Sequence, residues 1–304
     1  MTTASWSTRL RHDSDATWQE WRDEMITKLG LLVTGTVLAA DETNITPASG
    51  ARPGTNTEGG YAVYHISDTL HATAPIYLRF GFGTGVGTTN PRMQFTMGTS
   101  TNGSGVLGGT CLSTIATFVS TAAQTTDTAR QSYMCGKAGF FGLGWKFDTS
   151  QGGVGGEGFA MVCRTCDSDG VPTVTGAILR LGIASVSQVS KSQAFRFASV
   201  AAAYTAVSAV GQAMLGFAPQ GPTNTTVGAD IQVSVAWTIT PRVAPVFGCV
   251  GVYVSELAAG GTFNATPVGT TARTFITLYN TAGPFSGISA TATAGYQAIA
   301  ILWE

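Results

Sequence analysis

"YLRFGFGTGVGTTNPRMQFTMG", residues 77 to 98, decides the fold of this chain. Glycines at 81, 83, 85 and 87 give it the look of a loop that cradles phosphate. A dinucleotide fingerprint, however, needs G-x-G-x-x-G between a strand and a helix, so that phosphate meets the helix N-terminus. That register is absent, and no G-x-x-x-x-G-K-[ST] occurs anywhere in the sequence. The glycines are followed by Pro91 and then by Met93, Phe95 and Met97, apolar at alternate positions. Alternation of this kind is the mark of a half-buried strand. The stretch predicts a β-hairpin with a wide glycine-rich loop.

Working outward, the same grammar recurs. Candidate strands cover 61–66, 75–82, 91–98, 157–165, 176–184, 193–200, 230–239, 245–254, 273–279 and 295–303. Turn-forming clusters separate them: "TNGSG" at 101–105, "DSDG" at 167–170 and "PQGPTN" at 219–224. Alanine makes 199–215 readable as a helix, against its Val and Thr. Many short strands with Gly-rich turns predict an all-β fold, mainly an antiparallel β-sandwich or jelly roll, with a short N-terminal helix. Division near residue 190 would give two lobes, 43–190 and 191–304, or the two may form one domain.

The helix is read from "DATWQEWRDEMITKLG". Thr17 and Glu20 have capping-box spacing, and Gly30 stands where a C-terminal stop is expected. Trp18, Trp21, Met25 and Leu29 fall on one helical stripe. Such a stripe either packs on the chain's own β domain or docks on a neighbouring subunit. The helix lies in a segment of its own composition: residues 1–42 hold eleven charged side chains, and the remaining 262 residues share 22. The composition boundary is read as a structural one, with those four apolar residues as a candidate assembly surface.

Only 11% of the 304 residues are charged, under half the share in an average soluble domain, and 39 are glycine. A surface this poor in charge is either covered with Thr, Ser and Asn or hidden in an assembly. The net charge of −1 argues against nucleic acid as a partner, since phosphate binding relies on clustered Lys and Arg. No apolar run approaches the ~20 residues of a membrane span, and the first residues lack the apolar core of a signal peptide. Five cysteines cannot all pair within one chain, which fits synthesis in a reducing cytoplasm.

Chemical motifs are sparse. "CRTC" (163–166) has the spacing of half a zinc site, but Cys111, Cys135 and Cys249 stand alone, so two free thiols at a strand end are expected. "DSDG" begins like a calcium loop, yet its twelfth position is Ile178 rather than glutamate. "HISDTLH" places His65, Asp68 and His71 at three-residue intervals; in a strand Asp68 would face away from both histidines, and in a helix all three would share one side. No G-x-S-x-G elbow occurs, and the ten carboxylates beyond residue 42 form no recognisable acid/base pair. The expectation is no catalytic residue, no metal site and no cofactor. Trp145, Tyr253, Tyr279 and Phe285 are spare aromatics that could serve a glycan site.

Residues 67–105, "SDTLHATAPIYLRFGFGTG…PRMQFTMGTSTNGSG", resemble a segment of tailed-bacteriophage virion structural proteins, generally tail, tail-tip or baseplate components. The matching residues are Asp68, Leu70, Ala72, Thr73, Pro75, Ile76, Tyr77, Gly83 and Gly85, then Pro91, Gly98, Thr99, Gly103 and Gly105. The paired-tryptophan helix followed by "LGLLVTG" is similar to the N-terminus of such proteins. The resemblance covers about the first third of the chain and brings no catalytic residues with it. It implies a non-enzymatic structural subunit of the virion tail, made in the host cytoplasm and used in symmetric copies, with residues 1–42 as the segment that attaches it to the tail core. Its partners would be copies of itself, other tail or baseplate proteins, and at the periphery a host cell-surface glycan. A capsid decoration or collar protein and a receptor- or glycan-binding module are the alternatives.

Overall fold

In chain order the elements begin β1 (Thr2–Arg9), α1 (Asp15–Thr34), β2 (Leu38–Asn44), β3 (Glu58–Ile66), β4 (Tyr77–Thr84) and β5 (Pro91–Gly98). Next come β6 (Ser100–Thr101), β7 (Leu107–Gly108), β8 (Ala116–Thr117), β9 (Ala129–Lys137), β10 (Phe140–Trp145), β11 (Gly158–Cys166) and β12 (Pro172–Ile183). Then follow β13 (Lys191–Phe197), β14 (Tyr204–Ala206), β15 (Leu215–Pro219), β16 (Ile231–Trp237) and β17 (Arg242–Pro245). The last are β18 (Cys249–Val252), β19 (Thr262–Ala265), β20 (Arg273–Asn280) and β21 (Ala298–Leu302). This computed structural model describes residues 1–9, 13–44, 51–55, 57–84, 91–108, 116–117, 129–145, 158–167, 169–183, 191–197, 204–206, 215–219, 231–237, 242–245, 249–252, 260–265, 272–280 and 298–304.

The fold is mostly antiparallel sheet with one helix near the N-terminus. The hairpin of residues 77–98 is present, Tyr77 facing Gly98 and Thr84 facing Pro91. It sits in a five-stranded sheet of order β2-β3-β4-β5-β8. A seven-stranded sheet, β1-β9-β10-β11-β12-β13-β14, packs beside it, and a four-stranded sheet, β18-β21-β20-β19, contains the C-terminal strands. Two smaller sheets, β15-β16-β17 and β6-β7, complete the described residues.

Strand alternation builds the first core. Leu78, Phe80 and Phe82 of β4 and Met93, Phe95 and Met97 of β5 point one way, and they meet Met134, Phe141, Leu143, Ala160 and Val162 from the seven-stranded sheet. Phe80 stands edge-on to Phe95 and Phe141, while Phe95 and Phe141 stack at 6.0 Å. Each such fully buried side chain contributes roughly 1.5–3 kcal/mol of burial energy. Helix α1 lies along the same core and buries Trp18, Trp21, Met25, Leu29 and Leu32 in it.

The other face of the seven-stranded sheet is covered as well. Cys135 donates its thiol to the Leu302 carbonyl at 2.6 Å, and Tyr133 meets Trp303 edge-on at 5.9 Å. Phe140, Met161 and Cys163 are buried on this side, as are Phe275, Ile301 and Leu302 of the C-terminal sheet. The central sheet is thus the middle layer of three.

Several local expectations are corrected. The helix begins at Asp15 with Ser14 as its N-cap: the Ser14 hydroxyl accepts from Thr17 N–H, and the Thr17 hydroxyl accepts from Ser14 N–H. The capping box is Ser14–Thr17, one turn earlier than Thr17–Glu20. Gly30 does not stop the helix, which runs on to Thr34 and is capped at Gly35, because Leu32 continues the buried stripe. Tyr204–Ala206 is a strand paired with β13 rather than part of a helix. The first eight strand residues, Thr2–Arg9, pair with β9 from Thr2↔Gly136 to Arg9↔Ala129, and the composition boundary at residue 42 falls inside β2. Residues 184–190, where a lobe boundary was expected, lie outside the described residues; β12 and β13 on either side of them are neighbours in one sheet.

Candidate functional site: a histidine pair at one end of the five-stranded sheet

β3 ends at Ile66 and β4 begins at Tyr77, and the turn between them returns the chain to the same sheet edge. Ile66 N–H donates to the Ile76 carbonyl, and Ser67 N–H to that of Val37. Within the turn, Asp68 accepts from Leu70 N–H through its side chain and from His71 N–H through its carbonyl. Both hydrogen bonds curl the chain so that His71 comes back over the end of β3.

His65 and His71 stack there, ring centroids 4.0 Å apart and planes within 27°. Tyr77, the cross-strand neighbour of His65, sets its ring 5.7 Å from His65 and 5.6 Å from His71. The carboxylate in the cluster comes from elsewhere. Asp41 occupies a bulge in β2, where the register with β3 shifts between Ala40 and Glu42. Bulges re-aim side chains, and this one brings both Asp41 oxygens to 2.9 Å from His65 Nδ1. Nδ1–H therefore donates to the carboxylate, which accepts only.

Asp68 takes a different partner. Arg164 of β11, wholly buried, donates from Nε to Asp68 Oδ2 at 2.6 Å and from Nη2 to Oδ1 at 3.1 Å. The Asp68 side chain is itself only 4% exposed, so this two-point pair is a charge contact inside the protein between the turn and the central sheet. Burial, with His65 as the next influence, holds the His71 imidazole below its ordinary range; Asp41 and Asp68 pull the other way. Burial and the Asp41 carboxylate push the Tyr77 phenol up.

Chemically this is an oriented Asp–His dyad with a second imidazole over the ring face. A nucleophilic triad would also need a hydroxyl or thiol on the dyad, and among the described residues none is hydrogen-bonded to His65. No group of three potential metal ligands is found among the described residues. Of "HISDTLH", the structure brings the two histidines together and gives Asp68 a different partner, Arg164. Asp41, Tyr77 and Arg164 escaped the sequence reading. Arg164 did leave a signal: a charge in an apolar strand calls for a buried partner.

The other sequence candidates fall as follows. Trp18, Trp21, Met25 and Leu29 are all buried in the chain's own core, the first of the two destinations their stripe allowed. Cys163 and Cys166 are buried, as is Cys135; burial raises the Cys135 thiol well above its ordinary value and pushes that of Cys166 up to about 12. "DSDG" forms the turn of a β-hairpin: Asp167 accepts from the N–H groups of Asp169 and Val171, and Gly170 supplies a φ of +78°. The side chains of Trp145, Tyr253, Tyr279 and Phe285 lie outside the described residues.

Two further polar features stand on the molecule. Arg79 forms a two-point pair with Glu58 and lies 4.7 Å over the Tyr61 ring. A groove of about 290 Å³ between β1 and α1 is lined by Ser7, Thr17, Glu20, Trp21 and Glu24. Burial in it raises the Glu24 carboxyl despite the nearby Lys28. No known protein family matches the chain, and no curated protein sequence matches it.

Proposed function

We propose that the chain is a non-enzymatic structural subunit of a tailed-phage virion, associated with the tail tip or baseplate and used in symmetric copies. The observation that carries this reading is the work done by the phage-like motif residues. Asp68 ties the β3–β4 turn to Arg164, and Ile76 is core. Gly83 lets the Thr57 backbone approach β4, and its carbonyl accepts the Trp18 indole N–H. Gly98 lies under Leu107, and Gly105 under the Tyr61 ring. These residues pack or hydrogen-bond within the chain's own fold, which supports reading the segment as a scaffold. The charge-poor composition supports the same reading, since copies packed side by side have little need of a strongly hydrated surface.

The test is labelling of purified phage particles with an antibody raised against the protein and viewed by electron microscopy. Label at the tail tip or baseplate is the expected result. Label on the capsid would replace the reading with that of a decoration or collar protein, and particles without label would overturn it.

A further inference from the structure

The His65–His71 stack has a sharp dependence on charge. Neutral imidazoles at 4.0 Å attract through their faces, and two imidazolium rings at that distance repel. His71 is the more constrained of the pair. Its Nδ1 is buried and has no hydrogen-bond partner among the described residues. An imidazolium carries a proton on both nitrogens, so charging His71 buries an N–H against no acceptor.

Five groups face it, from every element packed there: Asp41 of β2, His65 of β3, Asp68 on the turn itself, Tyr77 of β4 and Arg164 of β11. The two carboxylates favour a charged His71, but each already has a partner, Asp41 in His65 and Asp68 in Arg164. His65 and Arg164 oppose it, and burial opposes it most.

We propose that this stack is an acid-released latch: with His71 neutral it holds the 67–76 turn on the sheet, and charging both imidazoles drives the turn off and draws Asp68 away from Arg164. Release loosens the seam between the five-stranded sheet and the central sheet at this end, leaving both sheets paired. A histidine held below its ordinary value in the folded state stabilises the fold above the unfolded value, and that contribution is lost as pH falls. The window therefore opens near 6.5 and extends downward. The latch does not depend on the virion reading.

The experiment is hydrogen–deuterium exchange on the intact protein between about pH 7.5 and pH 5, corrected for the intrinsic rate, beside a histidine NMR titration. Peptides covering 67–76 should lose protection several-fold as His71 protonates, while those covering 77–84 and 91–98 keep it. His71→Gln, which cannot charge, should make exchange in the turn independent of pH. Flat protection in the wild-type turn, or an unchanged pH dependence in His71→Gln, overturns the latch. Should that variant fail to fold, the wild type still decides: His71 protonating with no change in turn exchange overturns it too.

Discussion

The Trp18 indole donates its N–H to the Gly83 carbonyl at 3.1 Å, joining the first turn of the helix to the far end of β4. The bond is buried, and the ring stands beside Gly59 and under the Arg22 guanidinium at 5.1 Å. It spans 65 residues of sequence and makes the helix part of the sandwich rather than an appendage.

Trp18→Ala should cost about 3–5 kcal/mol, the usual range for emptying a buried aromatic site. Trp18→Phe keeps most of the apolar volume but leaves the Gly83 carbonyl without its donor, at about 1–3 kcal/mol. Urea denaturation of both variants measures the difference; equal losses would show that the hydrogen bond, not the volume, carries the stability of the site.

Glycines 83 and 30 should respond in opposite directions to alanine. A methyl at Gly83 runs into the Thr57 carbonyl and the Glu58 Cα, backbone atoms that cannot swing aside. Gly83→Ala should cost at least about 1–3 kcal/mol. Nothing lies within 4 Å of a methyl at Gly30, which sits inside a helix. Gly30→Ala should therefore stabilise the protein by about 0.5–1 kcal/mol. Thermal melts of the two variants check both signs.

Breaking the Asp68–Arg164 pair from one side should be worse than removing it altogether. Arg164→Ala leaves a carboxylate stranded, and the expected loss is about 3–5 kcal/mol. The double variant Asp68→Leu with Arg164→Met replaces both charges by apolar volume and should lose less than either single change. A double-mutant cycle reads the coupling directly.

Burial raises the Cys135 and Cys166 thiols, and Cys163 has no exposed surface to offer a reagent. With five cysteines in the chain, a thiol-specific chromogenic reagent should titrate at most two in the native protein and all five after denaturation. Rapid native reaction of a third thiol would show that the C-terminal sheet does not seal the central one.

The legible parts of the fold were those where side-chain alternation and turn chemistry agree. β5 was delimited at Pro91 and Gly98 because Met93, Phe95 and Met97 alternate cleanly between a proline and a glycine. β9 and β10 escaped because Gly136, Gly142 and Gly144 interrupt their apolar pattern. Gly136 is small because Val37 and Leu32 press on it, a neighbour relation that no local window contains. Gly30 looks like a stop for the same reason: propensity is local, and the Leu32 burial that carries the helix past it is not. At the histidine pair, spacing brought His65 and His71 to notice. Their carboxylate was hidden, since only a bulge in β2 delivers Asp41.

The pairing of Thr2 with Gly136 also sets a timetable for synthesis. A ribosome adding ~5–20 residues per second leaves the first strand waiting on the order of ten seconds for its partner. The central sheet then has one bare apolar face, Phe140 and Met161 among it, until Ile301 and Leu302 have emerged to cover it. Until then, the uncovered face makes the nascent chain prone to association with its neighbours on the polysome.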